Sequence, residues 1–213
     1  MTTGLVILIP VLGRPNRVLP VLESIRAATP GARVLFLPDP DDVAERQAIA
    51  AAGAEELPVD GNYAAKANAG VRATTEPYVF LGADDLLPHP GWFEVALSYL
   101  RDGVQVVGVN DLIPRSRDHA THFVLDRAYA ERPTIDGGRG PMHEGYNHWW
   151  IDNELIATAT ARDAYVYARE AVVEHLHPFA QNGVPWDSTY EKGRSRRRHD
   201  RLLFRERSAL WAA

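Results

Sequence analysis

The sequence predicts an α/β fold, a mostly parallel, doubly wound sheet with helices on both faces. Three observations point to it. Short apolar runs alternate with helical stretches through the first half of the chain, the pattern of βαβ units. The runs are apolar throughout, as strands covered on both faces must be. Three of them end in loops rich in proline or carboxylate, at residues 10–14, 38–42 and 82–85. Right-handed crossovers bring such loops to one rim of the sheet, where ligands bind in open α/β folds.

The elements run in order. Leu5–Pro10 is a buried strand, broken by Gly13 and Pro15. A helix is predicted over 15–28, with Val18, Leu19, Leu22 and Ile25 at helical spacing. A second strand over 32–37 ends in Pro38-Asp39-Pro40-Asp41-Asp42. Residues 43–52, rich in Ala, Glu, Arg and Gln, read as helix closed by Gly53. A short strand over 56–59, a helix over 62–74, a strand over 77–81, a helix over 90–100 and a strand over 104–109 complete the first half. The second helix of that group puts Trp92, Val95, Ala96 and Tyr99 on one side.

After Asn110 the texture changes. Residues 113–131 are polar and mixed, with His119 and His122. Residues 134–145 are glycine-rich and predict a mobile loop. His148-Trp149-Trp150-Ile151-Asp152 leads into a helix ending near 162, and 165–167 and 172–176 read as a strand pair ending in His175-Leu176-His177-Pro178. The expected division is 1–110 as one half, 111–185 as the other half of the same domain, and 186–213 as a basic helical tail.

Composition narrows the function classes. Hydrophobic residues make up 46% of the 213 and charged residues 24%, ordinary for a globular domain. No apolar run approaches the ~18 residues of a membrane span. Leu5–Pro10 lacks a basic flank and cleavage site, so it predicts a first strand and not a signal peptide. Cysteine is absent, which excludes disulfides and thiolate sites and predicts a cytoplasmic location. Net charge is −5, but residues 192–207 carry eight Lys/Arg against two acids, a net of +6 that leaves −11 on the rest. That asymmetry predicts a polyanionic partner, a clamp on the body, or a solvated helix face. Neither GxGxxG nor GxxxxGK[ST] occurs, so dinucleotide and P-loop sites lose support.

The most informative stretch is Phe80-Leu81-Gly82-Ala83-Asp84-Asp85, a strand ending in two carboxylates. Hard divalent cations take carboxylate oxygens, and a diphosphate needs such a cation to neutralise it. Equally, two aspartates can simply end a strand and cap the helix after it.

With Ile9-Pro10-Val11-Leu12-Gly13-Arg14, Lys66-Ala67-Asn68-Ala69-Gly70, Gly82-Ala83-Asp84-Asp85 and the Asp152-Asn153-Glu154-Leu155 helix start in this order, the chain resembles GT-A-fold glycosyltransferases of the family 2 type. The resemblance covers roughly residues 4–178; the remainder looks like a subgroup feature, as in compact bacteriophage-encoded enzymes, whose location would be the host cytoplasm. It implies a nucleotide-diphospho-sugar transferase fold and an inverting transfer from a UDP-sugar. It also implies that Pro10, Val11, Leu12, Arg14, Asp39, Lys66, Asn68, Ala83 and Asp84 hold the donor, with Asp39 on the base. Asp84 and His175 would bind Mn or Mg; imidazole favours Mn. Gly82 stands where the family has its first motif acid, a departure that bears on metal affinity. Asp152 matches the base, with Glu154 second, and an N-cap role for Asp152 is compatible with that. His148, Trp149, Trp150, Glu154 and His177 would border the acceptor, with 137–145 as a lid. The acceptor stays open among glycans, lipids, proteins, small molecules and, through the Arg-rich segment 192–207, a hydroxymethylated base in phage DNA. A sugar-phosphate nucleotidyltransferase and a catalytically inactive nucleotide-binding module are the alternatives.

Overall fold

A computed structural model of the chain describes residues 3–114, 118–180 and 183–212, without the side chains at 192, 193 and 195. Residues 115–117 of the polar stretch, and the side chain of Lys192 in the basic segment, lie outside the described residues. The first half runs β1 (Leu5–Pro10), α1 (Val18–Ala28), β2 (Arg33–Leu37), α2 (Val43–Ala51), β3 (Glu55–Glu56), α3 (Tyr63–Arg72) and β4 (Tyr78–Leu81). It continues with β5 (Leu86–Pro88), α4 (Trp92–Tyr99) and β6 (Val106–Asn110). The second half adds β7 (Phe123–Asp126), α5 (Arg127–Ala130), α6 (Ile151–Ala161), β8 (Tyr165–His175), α7 (Ser188–Ser195) and α8 (Arg197–Arg207).

One eight-stranded sheet has the order β3-β2-β1-β4-β7-β6-β8-β5. The pairs β1–β2, β1–β4, β2–β3 and β6–β8 are parallel; β4–β7, β6–β7 and β5–β8 are antiparallel. Alternation along β1 shows the two-sided burial directly. Leu5, Ile7 and Ile9 pack with Val18, Leu22, Ile25, Ile49 and Trp92 of α1, α2 and α4. Val6 and Leu8 pack on the other face with Ala64, Ala67, Val71, Ile151 and Leu155 of α3 and α6. Two cores on one sheet are what a continuous apolar strand requires.

Caps fix the helices that border the rim. Asp42 accepts a hydrogen bond from Glu45 N at 3.0 Å and starts α2; Asn62 accepts one from Ala65 N at 3.0 Å and starts α3. Gly108 of β6 is required by close approach. A Cβ there would lie 2.6 Å from Ala120 Cβ and 2.6 Å from Tyr165 Oη. Gly108→Ala is expected to destabilise the chain by about 1–3 kcal/mol through overpacking, read as a lower urea midpoint; an unchanged midpoint would mean that the Ala120 segment yields freely.

Several expectations need correction. Leu19 is not core: it is 49% exposed, and Val21 takes the buried position. The third strand is two residues at 55–56, although Leu57 N and Val59 N continue bonding to Phe36 O and Pro38 O at 2.9 Å. The two late runs are one strand, β8, in which a bulge separates the partners Ala168 and Val172 of consecutive β6 residues. That unpaired insertion broke the apolar pattern in the sequence. β7 sits in the stretch read as polar and is fully antiparallel, its Phe123, Val124 and Leu125 buried. The C-terminal helices pack on the body, with Leu203 and Phe204 against the α6 side of the core.

Candidate active site

The strand-end loops converge as expected on one cavity of about 1220 Å³. It is lined by Pro10, Val11, Leu12 and Arg14 after β1, Asp39 after β2, Lys66 of α3, and Ala83, Asp84 and Asp85 after β4. From the second half come His119, His122, His148, Trp149, Trp150, Asp152, His175 and His177, with Tyr190, Arg196 and Arg197 from the C-terminal arm. Asp84, Asp152 and His175, far apart in sequence, therefore share one space.

At the β1–β2 end, Lys66 Nζ donates to Val11 O at 2.9 Å and pairs with Asp39 Oδ1 at 2.9 Å. The lysine ties the first loop to the second-strand acid. Asn68 does something different. Its buried amide donates to Met142 O at 2.8 Å and Glu144 Oε1 at 3.0 Å, while its oxygen accepts from Met142 N at 3.3 Å. Asn68 is not among the cavity-lining residues; it pins the glycine-rich segment to α3. Residues 137–145 do not line the cavity either, so the lid expectation is not met in this conformation.

The paired carboxylates are held by Arg14. Its Nη1 lies 3.1 Å from Asp84 Oδ1 and 3.3 Å from Asp85 Oδ2, and its Nη2 lies 3.0 Å from Asp187 Oδ1 of the C-terminal arm. Its guanidinium carbon sits 4.1 Å above the Tyr190 ring. Burial, and then the charge of Asp85, push the Asp84 carboxyl up from the usual range. Burial acts the same way on Asp85, but His175, Arg14 and His122 outweigh it and hold that carboxyl down. At Gly82 a Cβ would lie 3.1 Å from Leu8 O of the neighbouring strand, a tight approach that a larger residue there would have to relieve.

His175 faces Asp85 and not Asp84, with Nε2 at 3.3 Å from Asp85 Oδ1. Asp85 Oδ1 and His175 Nδ1 are buried without a hydrogen-bond partner. Two neighbouring ligand atoms of an octahedral ion with bonds of ~2.1 Å lie ~3.0 Å apart, close to the Asp85–His175 spacing. No cluster of three or more His, Asp or Glu with metal-binding geometry occurs among the described residues. Mg-type sites, however, use one or two protein ligands and complete the shell with phosphate and water. The donor set here fits such an ion, with Asp85 taking the place assigned from the sequence to Asp84.

Two of the surrounding imidazoles, His122 and His177, are held neutral. Thr121 Oγ1 lies 2.8 Å from Asp111 Oδ2 and 2.9 Å from His122 Nδ1. The single hydroxyl proton goes to the carboxylate, so His122 Nδ1 carries its own proton and Nε2 keeps a lone pair. Burial, then His175, push His122 down to about 3, and the same two causes push His177 down to about 4. His175 and His177 do lie side by side, their rings 5.0 Å apart, although β8 ends at His175.

Asp152 occupies the start of α6, but it is not the N-cap. Trp150 holds that position with φ +63°, a left-handed conformation unusual for a tryptophan. This sharp entry turns the helix start into the cavity. Asp152 Oδ2 lies 2.8 Å from His119 Nε2, a partner that sequence reading left unassigned. Glu154 is directed elsewhere: buried, it accepts from Tyr146 Oη at 2.6 Å and from Arg207 Nε and Nη2 at 2.8 and 2.7 Å. It does not line the cavity.

The arm braces this entry turn. Asp200, fully buried, accepts from Asn147 N at 2.9 Å, His148 N at 2.9 Å and Trp149 N at 2.8 Å. Tyr190 Oη lies 2.9 Å from Asp85 Oδ2. The sequence signal for these roles was present in Trp186-Asp187-Ser188-Thr189-Tyr190 and the arginine run, but no local pattern says which face an acid such as Asp200 caps.

No protein-family model matches the chain, and no curated protein matches its sequence. Solved structures do. Glucosyl-3-phosphoglycerate synthase from Mycobacterium tuberculosis, in complex with Mn2+, UDP and glucosyl-3-phosphoglycerate, aligns with a TM-score of 0.63 at 16% identity, over 94% of this chain and 78% of that one. A mannosyltransferase from Pyrobaculum calidifontis, in complex with GDP-Man and Mn2+, aligns with a TM-score of 0.64 at 16% identity, over 86% of this chain and 59% of its own. At that identity the likeness establishes the fold: this chain has the GT-A fold that its sequence implied. No helix among the described residues is long and apolar enough to cross a membrane.

Proposed function

We propose that this GT-A-fold chain is a metal-dependent inverting glycosyltransferase that moves a sugar from a nucleoside diphosphate donor, a UDP-sugar, to a hydroxyl acceptor. The observation that carries the reading is that Asp85, Asp84, His175 and Asp152 open into one cavity with the Asp39–Lys66 pair. The similar structures named above hold UDP or GDP-Man with Mn2+. Pro10, Val11, Leu12 and Asp39 would frame the nucleoside. Asp85 and His175, with Asp84 beside them, would hold Mn or Mg, which neutralises the diphosphate as it leaves. Asp152 takes the proton of the acceptor hydroxyl while that oxygen bonds to the anomeric carbon. The bond from that carbon to the diphosphate oxygen breaks, and its electron pair departs with the nucleoside diphosphate. His119 orients the Asp152 carboxylate. Trp149 and Trp150 offer faces for the sugar or the acceptor.

The alternatives have less behind them. Arg14 is committed to three carboxylates, so the first loop lacks the free basic group expected of a nucleotidyltransferase. Within the Arg-rich segment Arg207 serves as brace and Arg196 and Arg197 as cavity rim, while Arg198, Arg201 and Arg205 are exposed; no observation favours a DNA acceptor.

The test is calorimetric titration of UDP-glucose into the full chain, with Mn and then with excess EDTA. Binding is expected with Mn and is expected to vanish with EDTA or in Asp85→Asn; undiminished binding in EDTA sinks the metal assignment. A saturating donor should also raise the melting temperature by several degrees through mass action. If no UDP-, GDP-, CDP- or dTDP-sugar does so, the glycosyl-transfer reading fails. Slow release of free sugar from the donor separates a working enzyme from an inactive module.

A further inference from the structure

The cavity is lined by four Lys or Arg residues, and they divide into two kinds. Arg14 is neutralised by Asp84, Asp85 and Asp187, and Lys66 by Asp39. Arg196 and Arg197 have no carboxylate partner among the described residues and are exposed at the cavity rim. Their place is fixed. Asp200, at the same helix end, is bonded to the backbone of residues 147–149, immediately before Asp152. The Arg197 guanidinium lies over the two tryptophans of that turn, its carbon 5.3 Å from the Trp149 ring centroid and 5.6 Å from that of Trp150. Such a contact with a ring face pairs no carboxylate with the guanidinium, whose fork of N–H donors suits a carboxylate or phosphate.

The cavity is thus electrically divided. Of its carboxylates, Asp39, Asp41, Asp60, Asp84 and Asp85 come from the first half of the chain, where the donor and its ion belong, while Arg196 and Arg197 line the same cavity as Asp152, where the acceptor hydroxyl must arrive. A volume of about 1220 Å³ exceeds the ~300–1,000 Å³ of a pocket for one small ligand, so a second small molecule fits beside a nucleotide sugar. A neutral glycan or polyol acceptor would leave both guanidiniums without a counter-charge.

We propose that Arg196 and Arg197 form the acceptor's anion site, so that the acceptor is a small hydroxyl compound carrying a phosphate or carboxylate group. This inference rests on the glycosyl-transfer reading and names the substrate class of that same site. The experiment titrates glycerol phosphate, glycerate and glycerol into the full chain saturated with UDP and Mn, at fixed ionic strength. The three share a hydroxylated carbon frame and differ in the anion, and the first two separate phosphate from carboxylate. At least one of the anions is expected to bind, glycerol is not, and Arg197→Gln and Arg196→Gln should each weaken the anion about tenfold or more while leaving UDP affinity unchanged. Arg201→Gln, an exposed arginine of α8 outside the cavity lining, is the control and should change nothing. The proposal is overturned if neither anion binds the UDP-loaded wild type, if glycerol binds as well as they do, or if both rim variants bind the anions normally. It is also overturned if the rim variants lose UDP instead, which would place the arginines on the donor, or if Arg201→Gln weakens the anion as much, which would mark a diffuse polyanion surface of the kind that holds DNA. Failure of UDP to bind the wild type is the separate failure of the glycosyl-transfer reading; inorganic phosphate titrated into the unliganded chain and the two rim variants then still reads the arginine pair.

Discussion

Asp152→Asn is expected to leave donor affinity within about twofold and to lower kcat by about a hundredfold to ten-thousandfold, the range that a positioned general base supplies. The substitution preserves shape and can keep the 2.8 Å contact to His119 Nε2 through its amide oxygen, so the loss falls on proton acceptance and not on architecture. The start of α6 favours a carboxylate through its free N–H groups. The two nearest candidates are engaged. Glu154, two residues along the same helix, is buried and already bonded to Tyr146 and Arg207, and His119 is the orienting partner. The measurement is a pair: UDP-sugar titration for binding, and nucleoside diphosphate release in the presence of a competent acceptor for turnover. Weak binding with normal kcat would place Asp152 on the donor and remove it from proton transfer. Normal values of both would move the base elsewhere in the cavity.

How much of this could be read from the chain depends on the range of each signal. The strands of the first half were legible because burial on both faces writes a continuous apolar run, and the rim was legible because strand ends carry proline and aspartate. β7 was not: four residues, three of them buried, sit inside a polar stretch, and their apolar character is satisfied by pairing between β4 and β6, far away in sequence. β8 was split in two because its bulge hides the alternation. At the site, motif order put Asp84, Asp152 and His175 forward, and the fold brings the three to one cavity. Motif order does not encode side-chain direction, so Asn68 and Glu154 were placed on the cavity although both point into packing contacts. The same limit assigned His175 to Asp84, whereas its nearest carboxylate is the adjacent Asp85. His119 and Tyr190 acquire a role only through contacts made across the fold, and residues of that kind leave no local trace.

The largest stability effect is expected at Asp200. One fully buried carboxylate receives three backbone N–H groups from residues 147–149, and the side chain of Asn147 as well, at 3.2 Å. Burial alone would push its carboxyl up, but His199 and the three backbone donors outweigh burial and hold it below the usual range. Because the folded value is depressed, this stabilisation is present at neutral pH and lost only as pH falls below about 4. Asp200→Ala removes the acceptor and strands three part-buried donors at once, against about 1–3 kcal/mol for each donor left unsatisfied in full burial. Partial relaxation brings the expected loss to about 3–5 kcal/mol, a fall in melting temperature of roughly 6–20 °C for a chain of this size. The consequence reaches the chemistry, because the turn that Asp200 holds contains Trp149 and leads through the left-handed Trp150 into Asp152. Asp200→Ala, assayed well below its melting temperature, should therefore lose turnover as well, while nucleotide binding at the β1–β2 rim persists. Asp200→Asn, which keeps one carbonyl acceptor, should fall between. A variant as stable as the wild type but inactive would mean that the turn finds other acceptors yet needs this one to aim the base, and a variant that is unstable yet fully active when folded would free the catalytic entry from its C-terminal brace.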